Sequence, residues 1–286
     1  MIEDRPLRVA VPNKGTLAEA AADMLRSAGY RQRTDSKDLT LVDSDHGVEF
    51  YYLRPRDIAV YIGAGHLDVG ITGRDMLLDS GAEATEIMEL GFGASRFRFA
   101  APQGSAMTVE QLPGKRIATS YPGLLQSWLD QLDISASLVR LDGAVESAIR
   151  LGVADVVADV VDTGTTLRRA GLELFGDTIC DSQAVLIRRA DETAPRGLHS
   201  LKTRLDSVLV ARNFVMMDYN VEEEDLAATT ALASGVNGPT VSDIEKNGWV
   251  AVRVLIPKQG AHLLMDRLFD AGARGILITE LRSCRL

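Results

Sequence analysis

The sequence predicts an α/β protein followed by a smaller α+β domain. Between residues 7 and 188, short apolar segments alternate with helical segments of about ten residues, which is typical of α/β units with largely parallel sheets. The apolar segments are continuous, as expected of strands that helices cover on both faces. A polar stretch that contains Pro195 and Gly197, residues 190–200, then interrupts the alternation, and we place the main boundary there.

Local signals justify the elements of the first part. Leu7–Val11 is an apolar strand, and Thr16 with Glu19 forms a capping box that begins a helix ending at Gly29. Pro55 suits the first turn of a helix that ends by residues 63–65. Further strands are predicted at 39–43, 48–53, 67–72, 86–91, 97–101, 115–119, 136–141, 154–161 and 181–188. Further helices are predicted from Arg74 and at 122–131, 143–151 and 165–170.

The pattern changes beyond residue 200. A helix at 199–212 leads into a strand, a helix, two strands, a helix and a strand. Their predicted ranges are 213–219, 222–233, 240–245, 249–256, 259–271 and 275–282. The order βαββαβ indicates a ferredoxin-like domain.

Composition and charge narrow the class of protein. The chain has 286 residues, which favours two domains, and its hydrophobic (46%) and charged (25%) contents are those of a globular protein. Lysine and arginine total 31 against 40 aspartates and glutamates, so the formal net charge is −9. We therefore expect binding neither to nucleic acid nor to a membrane surface.

Cysteine, histidine and amino-terminal patterns exclude further classes. The two cysteines, Cys180 and Cys284, cannot form a disulfide scaffold, and the four histidines lack the HExxH spacing of a metal site. The amino terminus lacks the basic and apolar regions of a secretory signal, and no run of about 18 apolar residues indicates a membrane span. We expect a cytoplasmic protein.

The most informative segment is a loop between a predicted strand and a predicted helix. The apolar strand 156–161 is followed by Asp162, Thr163, Gly164, Thr165 and Thr166. Three hydroxyls therefore meet the free N–H groups of a helix amino terminus, which favour an anion. Asp159, upstream on the strand, suits the hydroxyl donors of a ribose, so the segment indicates a phosphorylated-sugar site. The same residues also suit an ordinary strand–turn–helix connection without a ligand.

Positive charge is concentrated early in this acidic chain. The basic residues are Lys14, Arg31, Arg33, Lys37, Arg54, Arg56 and Arg74. Lys14 precedes the first helix, whose dipole would reinforce its attraction for phosphate. Arg54 and Arg74 lie at strand ends, where open α/β sheets bind ligands. Any one of these residues can equally be ordinary surface charge, and Arg96 and Arg98 can simply cover the domain junction.

The spacing around the loop resembles a family signature. The residue types from Glu146 to Leu167, with Gly152, Asp159 and Gly164 among them, are similar to the signature of the ATP phosphoribosyltransferase family. The likeness extends to segments 9–15, 34–39, 53–58 and 71–75 and to the carboxyl-terminal domain. The chain resembles the long form of the family, in which a regulatory domain follows the catalytic part.

The resemblance implies a two-lobe catalytic part of the periplasmic-binding-protein type II kind. The chain crosses twice between the lobes of such a fold. Residues 1–95 plus 184–194 would form catalytic lobe I, and residues 96–183 would form lobe II with the phosphate loop. Residues 200–286 would form the ferredoxin-like regulatory domain.

The resemblance also implies a Mg²⁺-dependent reaction. Phosphoribosyl would pass from phosphoribosyl pyrophosphate (PRPP) to N1 of the adenine of ATP, with release of pyrophosphate, in the first step of histidine biosynthesis. Because adenine N1 already carries a free lone pair, the reaction needs no deprotonating base, which explains why no Ser-His-Asp or Cys-His set is present.

Specific residues follow from the resemblance. The implied catalytic residues are Asp159, Glu146 and Lys14. The implied PRPP contacts are Asp159, Asp162, Thr163, Gly164, Thr165, Thr166 and Leu167. The implied ATP contacts are Lys14, Arg54, Arg74, Asp75 and Tyr121. The direct ligands of Mg²⁺ are left open.

The carboxyl-terminal domain resembles the family's histidine-binding inhibitory domain. The implied histidine contacts are Asn220, Val236, Thr240 and Gly275. Some relatives carry Asp at the position of Asn220, and an amide offers an acceptor without the charge attraction. The family resemblance also implies a homo-hexamer in exchange with a dimer, and AMP or ADP as further ligands. The domain can alternatively serve only to pack subunits together.

Two other functions stay open at this point. One is a ligand sensor without catalysis, because residues 65–71 also resemble solute-binding proteins. The other is a PRPP-dependent transferase that acts on a different base, because the assignment of adenine depends on the family likeness and not on the loop. Members of that second class usually carry two adjacent acidic residues before the loop, whereas Val160 and Val161 separate Asp159 from Asp162.

Overall fold

The chain forms two compact units. The computed structural model describes residues 5–161, 164–190 and 193–286. One unit contains the chain up to Asp23 together with Arg31–His199, and the other contains Met24–Tyr30 and Ser200–Leu286. No helix among these described residues is both long and apolar enough to cross a bilayer.

Eleven strands and five α-helices are described within the first unit, and α1 begins in it and ends in the second. The elements of its amino-terminal half are β1 (Leu7–Pro12), α1 (Thr16–Ser27), β2 (Thr40–Asp43), β3 (Val48–Leu53), α2 (Pro55–Gly63), β4 (Val69–Gly73), α3 (Arg74–Ser80) and β5 (Ala84–Glu89). Those that follow are β6 (Ser95–Pro102), β7 (Arg116–Thr119), α4 (Pro122–Gln131), β8 (Ser137–Arg140), α5 (Ser147–Arg150), β9 (Val156–Val161), α6 (Thr165–Arg169), β10 (Leu172–Ser182) and β11 (Ala184–Arg189).

A six-stranded sheet builds the first lobe. Its strand order is β2-β3-β1-β4-β11-β5, and β3, β1 and β4 are parallel. Ala10 of β1 packs with Ile58 and Ile62 of α2, because a strand with helices on its faces must be apolar throughout. β11 lies antiparallel between β4 and β5, so the chain returns to the first lobe at this strand.

A five-stranded sheet builds the second lobe, in the order β10-β6-β9-β7-β8. Apolar clusters cover both of its faces. Phe97 and Leu125 belong to one cluster, and Val157 and Leu167 belong to the other. The predicted fold class, two α/β lobes joined by two crossings, is confirmed.

Two sequence-based expectations are wrong in detail. The sheets are mixed, because β6 runs antiparallel to β9 and β11 runs antiparallel to both of its neighbours. The strand predicted at 181–188 is in fact the end of β10 and most of β11. The chain passes from one lobe to the other at Gln183, between these two strands, although the sequence pattern predicts a single strand there. The remainder of β10 was missed because Gly176 (φ 63°) interrupts the pattern where the strand register shifts.

The second unit contains the ferredoxin-like domain. After α7 (Leu198–Asn213), its elements are β12 (Phe214–Glu222), α8 (Leu226–Leu232), β13 (Thr240–Asp243), β14 (Trp249–Pro257), α9 (Ala261–Asp270) and β15 (Arg274–Glu280). The antiparallel sheet has the order β13-β14-β12-β15, which confirms the predicted βαββαβ fold. Alternate β12 residues such as Met217 and Tyr219 are buried in the core, and those between them lie on the opposite face.

Candidate active site

Three parallel strands of the first lobe end beside one another, and a predicted site residue follows each. Lys14 follows β1, Arg54 follows β3, and Arg74 and Asp75 follow β4. The carboxyl ends of parallel strands share one edge of the sheet, where open α/β folds bind ligands. Lys14 and Arg54 are exposed there, and Arg54 occupies the N-cap position of α2.

The second lobe presents its own loops at the ends of β7 and β9. Tyr121 follows β7, and Gly164 follows β9 at the N-cap of α6 with φ 68°. Leu167 is 8% exposed and packs in the cluster that contains Val157, so it anchors the loop to the core. Thr165 and Thr166 are exposed at the start of α6. The predicted PRPP contacts Asp162 and Thr163 lie outside the described residues.

Among the described carboxyl groups of this lobe, Asp159 is the one whose pKa is clearly raised. It lies half-buried near the end of β9, directly opposite Arg98 of β6. Its pKa is raised to about 6, chiefly by burial and also by the negative charges of Glu146 and Asp75, while the Val160 N–H and Arg56 act in the opposite direction. Such a carboxyl group suits a ligand that brings hydroxyl donors or a cation.

Tyr121 and Asp75 form a buried pair. Asp75 is 4% exposed and Tyr121 is 8% exposed, and the Tyr121 hydroxyl lies close enough to the Asp75 carboxylate to interact with it. Burial raises the pKa of Tyr121, and the Asp75 charge adds to the effect, so the phenol stays a neutral donor. The Arg56 guanidinium lies 4.3 Å from the centre of the Tyr121 ring, and Phe97 contacts the ring edge-on at 5.5 Å.

The backbone around Asp75 holds this carboxylate in place. The Asp75 N–H donates to Oγ of Ser182 at 3.1 Å, and Asp75 Oδ1 accepts from the Met76 N–H at 2.9 Å. A β-carbon built at Gly73 would overlap Asp75 Oδ1, so the close approach of this carboxylate requires glycine. The sequence did not indicate the part played by Ser182, which lies 107 residues away.

Arg74 is directed away from this pair. Its guanidinium donates to both carboxylate oxygens of Glu86, at 2.9 and 2.8 Å, and also contacts Glu89 and the Asp181 carbonyl. These hydrogen bonds, above all those with Glu86, raise the pKa of Arg74. The structure therefore brings Asp75 and Tyr121 together but places the Arg74 side chain against β5.

A cavity of about 500 Å³ lies where the two lobes join. It is lined by residues 94–96, by Val161 and by residues 181–183. Arg96 lies 3.5 Å from Asp181 at its rim, whereas Arg98 donates to the Gly176 carbonyl at 2.7 Å. Val161 immediately precedes the loop that begins at residue 162. The strands that join the lobes thus form part of the cavity wall next to that loop.

The described residues contain no group of three or more side chains that would form a metal cage. The negative charge of Glu146 acts on Asp159, and both side chains carry oxygen donors, which is the chemistry Mg²⁺ prefers. Two carboxylates fit a Mg²⁺ ion that arrives with substrate phosphates, since that ion commonly takes only one or two protein ligands.

The predicted histidine contacts lie on or beside one face of the carboxyl-terminal sheet. We call this the outer sheet face; it includes Asp218, Asn220, Thr240, Ser242, Arg253 and Leu277, which point away from the core by strand register. A β-carbon at Gly275 would lie 3.6 Å from Asn220 Nδ2, so these two residues are neighbours. Val236 lies in the loop before β13 and donates its N–H to the Leu255 carbonyl at 3.1 Å.

Comparisons with known proteins agree with this architecture. Residues 54–207 match the family model described as ATP phosphoribosyltransferase, and residues 211–283 match the model for the C-terminal domain of HisG. The ATP phosphoribosyltransferase of Pseudarthrobacter chlorophenolicus is 56% identical over 283 residues, which cover 98% of this chain and all of that protein. That of Kocuria rhizophila is 57% identical over 280 residues, with the same coverage of both chains.

A solved structure supports the same relationship. The ATP phosphoribosyl transferase (HisG:HisZ) complex from Thermotoga maritima contains a chain that is 25% identical, with a TM-score of 0.60. The match covers 70% of this chain and 96% of that one. Fold, site and relatives together define a pentosyltransferase. The chain belongs to the ATP phosphoribosyltransferase family, and the match to both family models makes it the long form.

Proposed function

We propose that this chain transfers the phosphoribosyl group of PRPP to N1 of the adenine of ATP, as the first step of histidine biosynthesis. The observation that carries the proposal is the half-buried Asp159, whose pKa is raised to about 6, on the strand that leads into the Gly164 loop. A half-buried carboxylate beside a helix amino terminus suits the ribose hydroxyls and the phosphate of one substrate.

The reaction is a displacement at C1 of the ribose. The bond from C1 to the pyrophosphate oxygen breaks, a bond from adenine N1 to C1 forms, and pyrophosphate leaves with the bonding electron pair. Positive charge develops on the ribose in between. Asp159 is placed to stabilise that charge, and Glu146 adds negative potential beside it. The remaining requirement is alignment of the two substrates.

On the ATP side, the proposal uses both lobes. Asp75 would accept from the adenine amino group, and Tyr121 would stack on the base. The Tyr121 hydroxyl interacts with the Asp75 carboxylate and would help to orient it. Lys14 and Arg54, exposed at the ends of β1 and β3, are proposed to contact phosphate.

Mg²⁺ would neutralise the charge of the departing pyrophosphate. Asp159 and Glu146 are the carboxylates proposed to meet it or the ribose hydroxyls.

We also propose that histidine inhibits the enzyme by binding near Asn220, Thr240, Gly275 and Val236. Support comes from the placement of Asn220, Thr240 and Gly275 on one sheet face with acceptor atoms and a side-chain-free position. Inhibition at a distance requires histidine to favour one of two global states, a coupling of about 1–3 kcal/mol. The assembly proposed to carry these states is a hexamer in exchange with a dimer, with AMP or ADP as further ligands.

Mass spectrometry of the purified chain with ATP, PRPP and Mg²⁺ tests the proposal. We expect phosphoribosyl-ATP and pyrophosphate in equal amounts, with less of both when histidine is added. Product that is insensitive to histidine would overturn only the regulatory part. Folded protein that binds PRPP yet forms no phosphoribosyl-ATP would overturn the catalytic part. A cell extract of a related organism that forms phosphoribosyl-ATP is the positive control for the assay.

A further inference from the structure

Asp79 of the first lobe holds the first turn of a helix in the second lobe. Asp79 Oδ1 accepts from the N–H groups of Gly123 at 2.9 Å and Leu124 at 3.2 Å. These are among the N–H groups at the start of α4 that have no partner within the helix. The Asp79 side chain is only 12% exposed, so water competes weakly for these bonds.

The sequence of α4 provides no cap of its own. Tyr121 occupies the N-cap position and makes no capping hydrogen bond with its side chain, and Pro122 follows it. Ser, Thr, Asp and Asn are the residues that normally cap a helix from this position. The missing cap is therefore supplied by a carboxylate 44 residues earlier in the chain, on α3 of the other lobe.

Backbone contact reinforces this arrangement. A β-carbon built at Gly123 would overlap the carbonyl oxygen of Asp79. Gly123 does not have a positive φ, so its backbone conformation would accept alanine. The glycine is thus required by the approach of α3 to α4, not by the turn itself.

The same carboxylate is linked to Tyr121. Asp79 Oδ2 accepts from Arg56 Nη1 at 3.0 Å, and the Arg56 guanidinium lies over the Tyr121 ring. Tyr121 immediately precedes the turn that Asp79 holds, and its hydroxyl reaches Asp75 on the same helix as Asp79. One side chain thereby connects the α4 backbone with the cation that packs on Tyr121.

We propose that Asp79 is a positioning residue that fastens α4 to α3 and so holds Tyr121 against Asp75. The kinetic consequence rests on the proposed function, because Tyr121 and Asp75 form its nucleobase pocket. A pocket whose side chains are already placed loses less freedom when the base binds. Asp79 therefore acts on ATP binding and not on PRPP binding.

Hydrogen exchange of the full-length chain tests the contact without any assay of activity. The Gly123 and Leu124 amides should be protected in the wild type, and Asp79→Ala should speed their exchange about tenfold, the size expected when a helix loses its cap. Asp79→Asn should retain most of the protection, since an amide oxygen still caps. Asp130→Ala, which removes an exposed carboxylate from α4, is the matched control and should leave both amides unchanged.

Steady-state kinetics test the positioning. Gly123→Ala keeps every charge and favours a helix, yet should raise the KM for ATP about five- to tenfold by separating α3 from α4. The KM for PRPP should change less than twofold, and Asp79→Ala should show the same split. Gln126→Ala, an exposed position three residues along α4, should leave both constants at wild-type values.

Two results would overturn the proposal. One is rapid exchange of the Gly123 and Leu124 amides in the wild type, or exchange that Asp79→Ala does not change. The other is a Gly123→Ala enzyme whose KM for ATP is unchanged or lower, or whose KM for PRPP rises equally. If the wild type makes no phosphoribosyl-ATP, the proposed function fails, but the exchange result still decides whether the contact exists.

Discussion

The candidate active site and the outer sheet face differ in how complete each is within one chain. In this site, Asp75 and Tyr121 are buried and Asp159 is half-buried, and the Asp75 charge adds to the burial that raises the pKa of both Tyr121 and Asp159. On the outer sheet face, Thr240 is exposed and Leu277 is 62% exposed. Chemistry needs groups that are held in a low dielectric before the substrate arrives. An effector surface has no such need.

Two aspartates of the second lobe show how a group placed for function differs from one that stabilises the fold. Asp159 sits among negative groups and has a raised pKa, whereas Asp155, at the other end of the same lobe's core strand, is paired with Arg116. That pair holds the pKa of Asp155 at about 2. At neutral pH the environment of Asp159 therefore lowers the stability of the folded state, whereas that of Asp155 raises it. This contrast is typical of functional sites, where stability is lost locally for activity.

The largest expected effect comes from Asp159→Asn. We expect the turnover with saturating substrates to fall about 10²–10³-fold, as when a preorganised electrostatic group is removed. The folded chain should nevertheless gain stability at pH 7.5, by about 1–3 kcal/mol, because the buried charge is removed. Turnover and urea unfolding of the same preparation measure both effects, and wild-type turnover would contradict the assignment of Asp159.

The stability gained by Asp159→Asn should depend on pH, and the raised pKa of Asp159 determines the direction. Because the folded pKa of Asp159 is about 6 against an ordinary 3.8, the native state binds more protons than the unfolded state between these values. Its contribution to stability is present below about pH 4 and is lost as pH rises through about 6. The gain from Asp159→Asn should therefore be smaller at pH 4.5 than at pH 7.5. Asp155→Asn is the control of opposite sign and should lower stability by about a few tenths of a kcal/mol, since that pair is partly exposed.

A smaller effect is expected from Tyr121→Phe. The change removes the phenol that interacts with the nearly buried Asp75 carboxylate, and a hydrogen-bonding interaction with a charged group is worth about 1.5–3 kcal/mol. We expect kcat/KM for ATP to fall at least about tenfold, with the KM for PRPP little changed. Tyr61→Phe, an exposed tyrosine of α2, serves as the control. Equal losses for the two variants would show that the Tyr121 hydroxyl has no special part.

The sequence predicted the fold well where one signal dominated. The strand Leu7–Pro12 and the helix Pro122–Gln131 lie within one residue of the predicted ranges 7–11 and 122–131, and the βαββαβ order predicted the carboxyl-terminal sheet. It failed at Gln183, because a chain that crosses between lobes leaves no mark in an apolar run. Long-range contacts were equally hidden. Nothing local distinguishes Asp79 from an exposed helix residue, although its spacing of four from Asp75 places both on one helix face.

In the candidate site, too, some features could be predicted from the sequence and others could not. Loop residues could be predicted because they follow strand ends, and strand ends meet at one edge of a parallel sheet. The direction of a long side chain could not, since it depends on partners that are distant in sequence. Arg74 illustrates this, because Glu86 and Glu89 of β5 determine where its guanidinium lies. The roles of Lys14 and Arg54 remain predictions from position and family.

The smallest expected effect concerns the outer sheet face, where Asn220→Asp should strengthen inhibition by histidine. A carboxylate accepts from the ligand's ammonium group with a charge that the amide lacks, and such a bond is about twice as strong as a neutral one. Because the site is exposed in the single chain, solvent screening limits the gain, and we expect the inhibitory concentration of histidine to fall about three- to tenfold. Asn220→Ala should raise it by a similar factor. Ser242→Ala, on the same sheet face and across β14 from Asn220, is the matched control and should leave inhibition unchanged. If Asn220→Asp and Asn220→Ala alter inhibition no more than this control, histidine binds elsewhere. The outer sheet face would then serve only to pack subunits together.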